Sequence, residues 1–296
     1  MSKLTFLTQE QCLGDEELDI LKIRGKKAAI TDFAIALGGY YMDDYRIDSD
    51  VSLNGRTGCY WTKSDYNKDE VFLVHLKGKI SREQFNVDDV GARPICAFSS
   101  INTIPTNGES GKLETDEDDV KFVYDGYYPQ TAPEKDIQLE LNRLYEIAEW
   151  NKKNRIPEAC EIPVSIDYTG KTIKYKRIDG YRHNGKIYVR MNLKKKSAQL
   201  SNEEWYVRGD PVWFEVEPIK RLISEQGKIT ITEKIIFAGV PFDFKRNYNT
   251  ENFDKTVIYK FTNDIWARDV ERLKSIVREK DHSAGLETSE DQIRNT

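Results

Sequence analysis

Two short runs of alternating apolar and polar residues flank the dipeptide Asn184-Gly185, and this arrangement constrains the fold more than any other feature of the sequence. Residues 173–178 (IKYKRI) and 186–190 (KIYVR) alternate with period two, which is typical of half-buried strands. An Asn-Gly pair between such runs favours a tight hairpin turn, because both residues tolerate a positive φ. The sequence therefore predicts an antiparallel β-hairpin in the second half of the chain.

Further strands and a few helices are expected around this hairpin. Predicted strands cover residues 71–76, 95–98, 213–219 and 228–232. A short helix is predicted over residues 33–37, with Thr31 or Asp32 as its N-cap and Gly38-Gly39 at its end. A second helix is predicted from the helical spacing of Ile137, Leu141, Leu144, Tyr145 and Ala148. A third is predicted from about residue 263 to residue 280. Because strands and helices do not alternate regularly, the pattern predicts an α+β fold and not a doubly wound sheet.

A polar break near residues 102–120 divides the chain. The acidic run over residues 114–119 lacks the glycine and the terminal glutamate of an EF-hand loop, so we interpret it as a solvated linker. The predicted organisation is an N-terminal module over residues 1–104, an acidic linker over 105–120, a second module over 121–281 and a mobile tail over 282–296.

Composition narrows the function classes. Of the 296 residues, 39% are hydrophobic, which is enough to bury a core. The formal net charge is -5, whereas proteins that bind duplex DNA or RNA usually have an excess of basic residues. Nucleic acid is therefore not expected as a direct ligand. No apolar run approaches the ~20 residues of a membrane helix, and the N-terminus lacks the apolar stretch of a signal peptide. We expect no membrane insertion, and a location in the cytoplasm or in a particle assembled there.

Residues suited to metal or nucleophilic chemistry are sparse. Cys12, Cys59, Cys96 and Cys160 form no CxxC pair, and only three histidines occur, so no metal and no cofactor is expected. Cys59 or Cys96 could act as a nucleophile if His75 lies close enough to serve as its base. The favoured interpretation is that both cysteines are small buried hydrophobic residues. The sequence also has no GxGxxG or GxSxG motif.

Adjacent aromatic residues near predicted turns are the strongest indication of a binding surface. The pairs are Tyr40-Tyr41, Tyr60-Trp61, Tyr127-Tyr128 and Trp205-Tyr206. In each pair one ring can pack inward while the other shields the core, yet exposed tyrosine and tryptophan also suit contacts to sugars and proteins. Both interpretations stay open.

A local basic stretch is the second candidate for a contact surface. It comprises Lys194-Lys195-Lys196 with Lys171, Lys174, Lys176 and Arg177. Such a stretch could meet an acidic partner or nucleic acid. The favoured interpretation is a hairpin with solvated lysines on its outer face.

Several strings resemble the signatures of a bacterial and phage domain family of unknown function. In the first half, residues 60–64 (YWTKS), 71–74 (VFLV) and 90–95 (VGARPI) resemble its "WWLRSP … V … GVRPA" signature. In the second half, residues 126–130 (GYYPQ), 216–223 (VEPIKRLI) and 232–236 (TEKII) resemble its "GxYPQ" and "VPIKWRVL … SEKI" blocks. The usual C-terminal signature comes first here, which leaves a permuted fold or two partial modules as alternatives.

The resemblance implies a fold like that of the formylglycine-generating (sulfatase-modifying) enzymes and the C-type lectins. In the structural motif formed by Gly91, Arg93 and Pro94, the guanidinium of Arg93 suits a buried fork donor to backbone carbonyls and Pro94 fixes the start of a strand. We assign no catalytic residue.

The functional expectation is a non-enzymatic binding or structural protein of phage or prophage origin, in the cytoplasm or in the phage virion. Its ligand would be a glycan or a protein surface, contacted by the loop aromatics Tyr60, Trp61 and Tyr66. One alternative is an intracellular phage protein that inhibits a host protein or nucleoprotein complex. The other is a thiol-dependent enzyme like the formylglycine generators, with Cys96 as its thiol.

Overall fold

A computed structural model describes residues 3–13, 16–43, 56–97, 113–226, 228–244 and 248–278. The helices are α1 (Gln9–Cys12), α2 (Asp19–Arg24), α3 (Asp32–Ala36), α4 (Lys135–Tyr145), α5 (Ala148–Asn154) and α6 (Val257–Lys260). The strands are β1 (Tyr41–Asp43), β2 (Arg56–Gly58), β3 (Tyr60–Asp65), β4 (Glu70–Val74), β5 (Ile80–Gln84), β6 (Ile95–Ala97), β7 (Glu114–Thr115), β8 (Lys121–Pro129), β9 (Arg155–Asp167), β10 (Thr172–His183), β11 (Lys186–Asn192), β12 (Ser197–Gln199), β13 (Trp205–Val207), β14 (Pro211–Ser224) and β15 (Ile229–Thr232).

The predicted hairpin is confirmed. Strands β10 and β11 pair antiparallel with His183 opposite Lys186. The turn residues Asn184 and Gly185 have φ values of 47° and 82°, as a tight turn of this kind requires. The hairpin belongs to an eight-stranded antiparallel sheet, which also contains β6, β7, β8, β9, β14 and β15.

Strand β14 is the centre of that sheet. Its first residues pair with β11, and its later residues pair with both β8 and β15. Smaller sheets of the described chain are β3-β4-β5, β1-β2 and β12-β13. Strands therefore dominate, with few helices beside them, and the α+β prediction is confirmed at that level.

The C-terminal helix runs over residues 257–278 and begins earlier than the sequence predicts. Thr256 caps it by accepting a hydrogen bond from the backbone N–H of Tyr259. Residues Phe261–Trp266 form a π-helical segment. Because a π-helix has more residues per turn, the apolar side chains before and after it do not follow one 3.6-residue period, and the sequence pattern misses the first turns of the helix. Trp266, Val270 and Leu273 are buried, so this face packs against the rest of the protein.

Both halves of the chain contribute to one hydrophobic core. The main cluster of buried side chains extends from Leu4 to Leu273. Strand β6 pairs with β15, and the described part of the acidic segment contains β7, which pairs with β8. Residues 105–112 of the predicted linker and the predicted tail lie outside the described residues.

Among the described residues, none of the helices combines the length and the apolar character that a membrane span requires.

Candidate functional site

An open groove of about 520 Å³ crosses strands β8, β14 and the end of β15. Its walls combine tyrosines, carboxylates, lysines and an amide. They are Glu114, Tyr124, Tyr127, Gln130, Glu215, Glu217, Pro218, Ile219, Lys220, Thr232, Glu233, Lys234 and Ile236. A volume of this size falls in the range of pockets that hold small molecules or a few sugar units.

A β-bulge shapes the floor of the groove. The pairing of β14 with β8 shifts register between Pro218 and Lys220, because the opposing strand carries an extra residue at Gly126. Gly126 has a φ of 80°, and a Cβ at this position would lie 2.1 Å from Cγ1 of Val270. The side chain of Gln130 donates hydrogen bonds to the carbonyls of Glu217 (3.2 Å) and Pro218 (2.9 Å). The distorted backbone is therefore tied in place.

Glu217 is a partly buried carboxylate of the groove. Burial raises the pKa of this side chain, while the hydroxyl of Thr131 donates a 2.7 Å hydrogen bond to its Oε2 atom and partly offsets that effect. A half-buried carboxylate in this setting is a good acceptor for a ligand hydroxyl.

Lysines balance part of the acidic charge. Lys220 Nζ lies 2.8 Å from Oε1 of Glu233 and 3.8 Å from a carboxylate oxygen of Asp116. Lys186 Nζ lies 2.9 Å from Oε2 of Glu215. The groove therefore carries both cationic donors and carboxylate acceptors with part of their charge neutralised, which suits a polyhydroxylated ligand better than a strongly charged one.

The aromatic pair Tyr127-Tyr128 divides between the groove and the core. Tyr128 is fully buried, and its ring centroid lies 5.5 Å from that of Phe33. Tyr127 is partly exposed and lines the groove together with Tyr124. Successive side chains of a strand point to opposite faces, so one tyrosine of the pair must face away from the core.

Two of the three predicted ligand-contacting aromatics are not at the surface. Tyr60 and Trp61 lie in β3 and are each 1% exposed. The hydroxyl of Tyr60 donates to the carbonyl of Lys26, and the Trp61 ring packs against Phe242. The expectation of a loop is corrected here, because β4 pairs with this segment and the core covers both side chains. Tyr66 is 46% exposed, beneath the guanidinium of Arg82, and lies outside the groove.

The Gly-Ala-Arg-Pro segment joins the two halves of the chain. Arg93 is 3% exposed, and its Nε atom donates a 2.8 Å hydrogen bond to the carbonyl of Thr232. The carbonyl of Pro94 accepts from the backbone N–H of Thr232. A Cβ on Gly91 would lie 2.2 Å from Cγ2 of Ile235, so the close approach of these segments requires glycine.

The four cysteines are buried free thiols. Burial raises the pKa of Cys59 to about 11 and that of Cys12 to about 12. The sulfur of Cys96 lies 3.4 Å from the hydroxyl oxygen of Thr230. Within the described ranges, no group of three or more His, Cys, Asp or Glu side chains is arranged to hold a metal ion.

The sequence did not predict a site at the groove, although several of the segments that resemble the family signatures contribute residues to its walls. The strings 126–130, 216–223 and 232–236, which carry the resemblance in the second half, are distant in the sequence and meet at this surface. Comparison of the chain with known protein families, with curated proteins and with solved structures returns no match.

Proposed function

We propose that this protein is a non-enzymatic binding protein that holds a neutral oligosaccharide in the groove across β8, β14 and β15. The observation that carries this proposal is the combination of Tyr124 and Tyr127 with Glu217 and Lys220 in one open groove. Tyrosine faces offer apolar contact to sugar rings, and the charged groups offer acceptors and donors to hydroxyls. The proposal keeps the glycan ligand expected from the sequence and moves its site from β3 to β8 and β14.

A C-type-lectin-like core of phage or prophage origin is part of the same proposal, and it is supported by the quoted sequence strings alone. One of the two candidate thiols of the enzymatic alternative is disfavoured, since burial raises the pKa of Cys59 and so opposes its reactive thiolate form. A glycan is favoured over a protein surface because the site is a concave groove and not a flat apolar patch.

The test is calorimetric titration of the full chain with chitotetraose, cellotetraose and maltotetraose. We expect saturable binding of at least one of them, and a loss of about ten-fold or more in affinity for Tyr127→Ala and for Glu217→Gln. Tyr66→Ala is the matched control, because it removes an exposed tyrosine outside the groove.

Three outcomes contradict the proposal. Binding that is lost in Tyr66→Ala and kept in Tyr127→Ala would place the ligand at β3 and β4. Chemical cleavage of the bound oligosaccharide would contradict the non-enzymatic role. No binding of any oligosaccharide, with retention of a single soluble protein from a host lysate, would favour the inhibitor alternative.

A further inference from the structure

Strands β10 and β11 separate beyond their hairpin and leave a second cavity. Their pairing ends at Gly180 and Val189. From there β10 continues alongside β9, whereas β11 continues alongside β14. The space between them, which we call the fork, has a volume of about 610 Å³ and is bounded by residues 176–179 and 190–194. This is large enough for an organic ligand of ordinary size.

Four cations of the fork have no anionic partner among the residues that the structure describes. Lys176, Arg190, Lys194 and Arg208 all line the cavity, and no carboxylate of the described residues lies within 4.0 Å of their charged nitrogens. By contrast, Lys186 at the start of β11 is paired, since its Nζ atom lies 2.9 Å from Oε2 of Glu215.

The other two charged residues of the cavity are already paired. Asp179 accepts a hydrogen bond from Arg155 at 2.7 Å and one from the backbone N–H of Glu158 at 2.8 Å. Arg177 lies 2.5 Å from Glu158. The charge left unpaired in the fork is therefore positive, on a chain whose formal net charge is -5.

The cationic side chains are held in position. The guanidinium of Arg190 lies 4.5 Å from the ring centroid of Tyr145, and its buried Nε atom has no hydrogen-bond partner among the described residues. Arg208 Nε donates a 2.9 Å hydrogen bond to the carbonyl of Lys194, which fixes the 208–209 turn against the end of β11. Two anchored guanidinium groups at one cavity favour a multiply charged oxyanion such as a phosphate group, which can accept hydrogen bonds from both.

Most lysines of the predicted basic stretch are exposed, as expected, but Lys194 and Lys195 are partly buried, so the expectation of solvated side chains is wrong for these two. Burial lowers the pKa of Lys194 to about 8, which the nearby charge of Asp88 only partly opposes. Burial removes water from the charged ammonium group, and no carboxylate of the described residues lies close enough to replace it. A bound anion would therefore stabilise the charged form of Lys194. This effect supports anion binding but does not define the ligand.

Apolar side chains form the remaining wall. Ile162 and Val164 line the same cavity, and Val164 is 42% exposed. Tyr145 also lines the cavity, with the guanidinium of Arg190 over its ring. A ligand that fills the cavity would thus present charge at one side and an apolar or aromatic body at the other.

We propose that the fork is a binding site for an organic phosphate, with the phosphate held by Arg190, Lys194 and Arg208 and the body against Ile162, Val164 and Tyr145. The site is separate from the oligosaccharide groove and does not depend on it. No bond is made or broken in this interaction.

The test uses the full chain and three probes in calorimetric titration at low ionic strength. Adenosine 5′-diphosphate carries charge and a body, inorganic pyrophosphate carries charge alone, and adenosine carries the body alone. We expect saturable one-to-one binding of the diphosphate, with the other two probes about ten-fold weaker or more. Arg208→Gln and Arg190→Gln should each weaken it by about ten-fold. Lys174→Gln, an exposed lysine of the same strand outside the fork, should leave it unchanged.

Arg208 is exposed, so its variant keeps the test valid if Arg190→Gln fails to fold. Equal binding of pyrophosphate and diphosphate would overturn the role of the apolar wall. Equal weakening by Lys174→Gln and Arg208→Gln would reduce the interaction to general electrostatic attraction. Absence of saturable diphosphate binding at millimolar concentration, or displacement of the diphosphate only by single-stranded oligonucleotides, would overturn the proposal.

Discussion

The guanidinium of Arg93 donates a 2.8 Å hydrogen bond to the carbonyl of Thr232, a residue 139 positions later in the chain. The second contact of this side chain is with the hydroxyl of Tyr60, at 3.4 Å. Arg93 thereby links β3, the segment before β6 and the end of β15. Thr232 in turn lines the groove across β8, β14 and β15, so Arg93 supports one of its walls.

Replacing Arg93 with methionine should destabilise the protein. The aliphatic volume is largely kept, but a buried carbonyl loses its donor, which costs about 2 kcal/mol of unfolding free energy. The measurement is urea unfolding followed by tryptophan fluorescence. Arg82→Met is the matched control, because Arg82 is half exposed and its loss should cost less than about 1 kcal/mol. Equal stability of the two variants would contradict the bridging role of Arg93.

Gly126→Ala should be more damaging than an ordinary glycine substitution. Its φ of 80° already disfavours alanine, and the new Cβ would lie 2.1 Å from Val270. We expect a loss of about 3 kcal/mol or more, since strain and overpacking act together. Gly209 also has a positive φ, of 95°, but nothing lies within 4 Å of its Cβ position. Gly209→Ala should therefore cost only about 1–2 kcal/mol, and an equal loss in thermal unfolding would refute the packing argument.

The raised pKa of the Asp269 carboxyl predicts that the stability of the protein depends on pH. This side chain is 3% exposed, and burial raises its pKa from 3.8 to about 6 despite a hydrogen bond from the backbone N–H of Glu161. Because the folded state binds this proton more tightly than the unfolded state, the stabilisation is fully present below pH 4 and is lost as the pH rises to about 6. A shift of this size corresponds to about 3 kcal/mol.

The measurement is the difference in unfolding free energy between the native protein and Asp269→Asn across pH 4 to 7. The native protein should lose stability relative to the variant as the pH rises. Asp19 is the control of opposite sign: burial raises its pKa, but hydrogen bonds from Ser224, Gln226 and others outweigh that effect and lower it overall. Stability relative to Asp19→Asn should be fully present well above pH 4 and fall as the pH drops below the ordinary Asp value of 3.8, so the series for this control extends below pH 4. A flat difference for Asp269 would contradict its raised pKa.

Trp61→Ala should act on the fold and not directly on a ligand. The side chain is 1% exposed and packs on Phe242, so truncation should cost about 3–5 kcal/mol. Tyr66→Ala, at an exposed position, should cost less than about 1 kcal/mol. Denaturant unfolding separates the two. A stable Trp61→Ala variant with a specific loss of ligand binding would restore the original surface interpretation of Trp61.

Local patterns were sufficient wherever a short segment decides its own structure. The turn at Asn184-Gly185, the Thr31 cap of α3 and the alternation over residues 173–176 of β10 depend on neighbours in the sequence, and each matches the structure. The alternation predicted for β11 is wrong, because residues 187–189 are all buried, with Tyr188 in a second apolar cluster beside Trp213. The C-terminal helix was only partly predictable, because its π-helical segment over Phe261–Trp266 breaks the expected period.

Tertiary structure decided which side chains face a ligand. The sequence alone determined an α+β chain of antiparallel strands with four separate cysteines and an aromatic-rich surface or core. It did not determine that β4 covers Tyr60 and Trp61, that Tyr127 lies opposite Pro218 at a bulge, or that β10 and β11 part next to Arg190. Those outcomes depend on strand pairing between residues far apart in the chain. The periodicity of one segment shows which of its side chains share a face, but it does not show which other strand the segment pairs with.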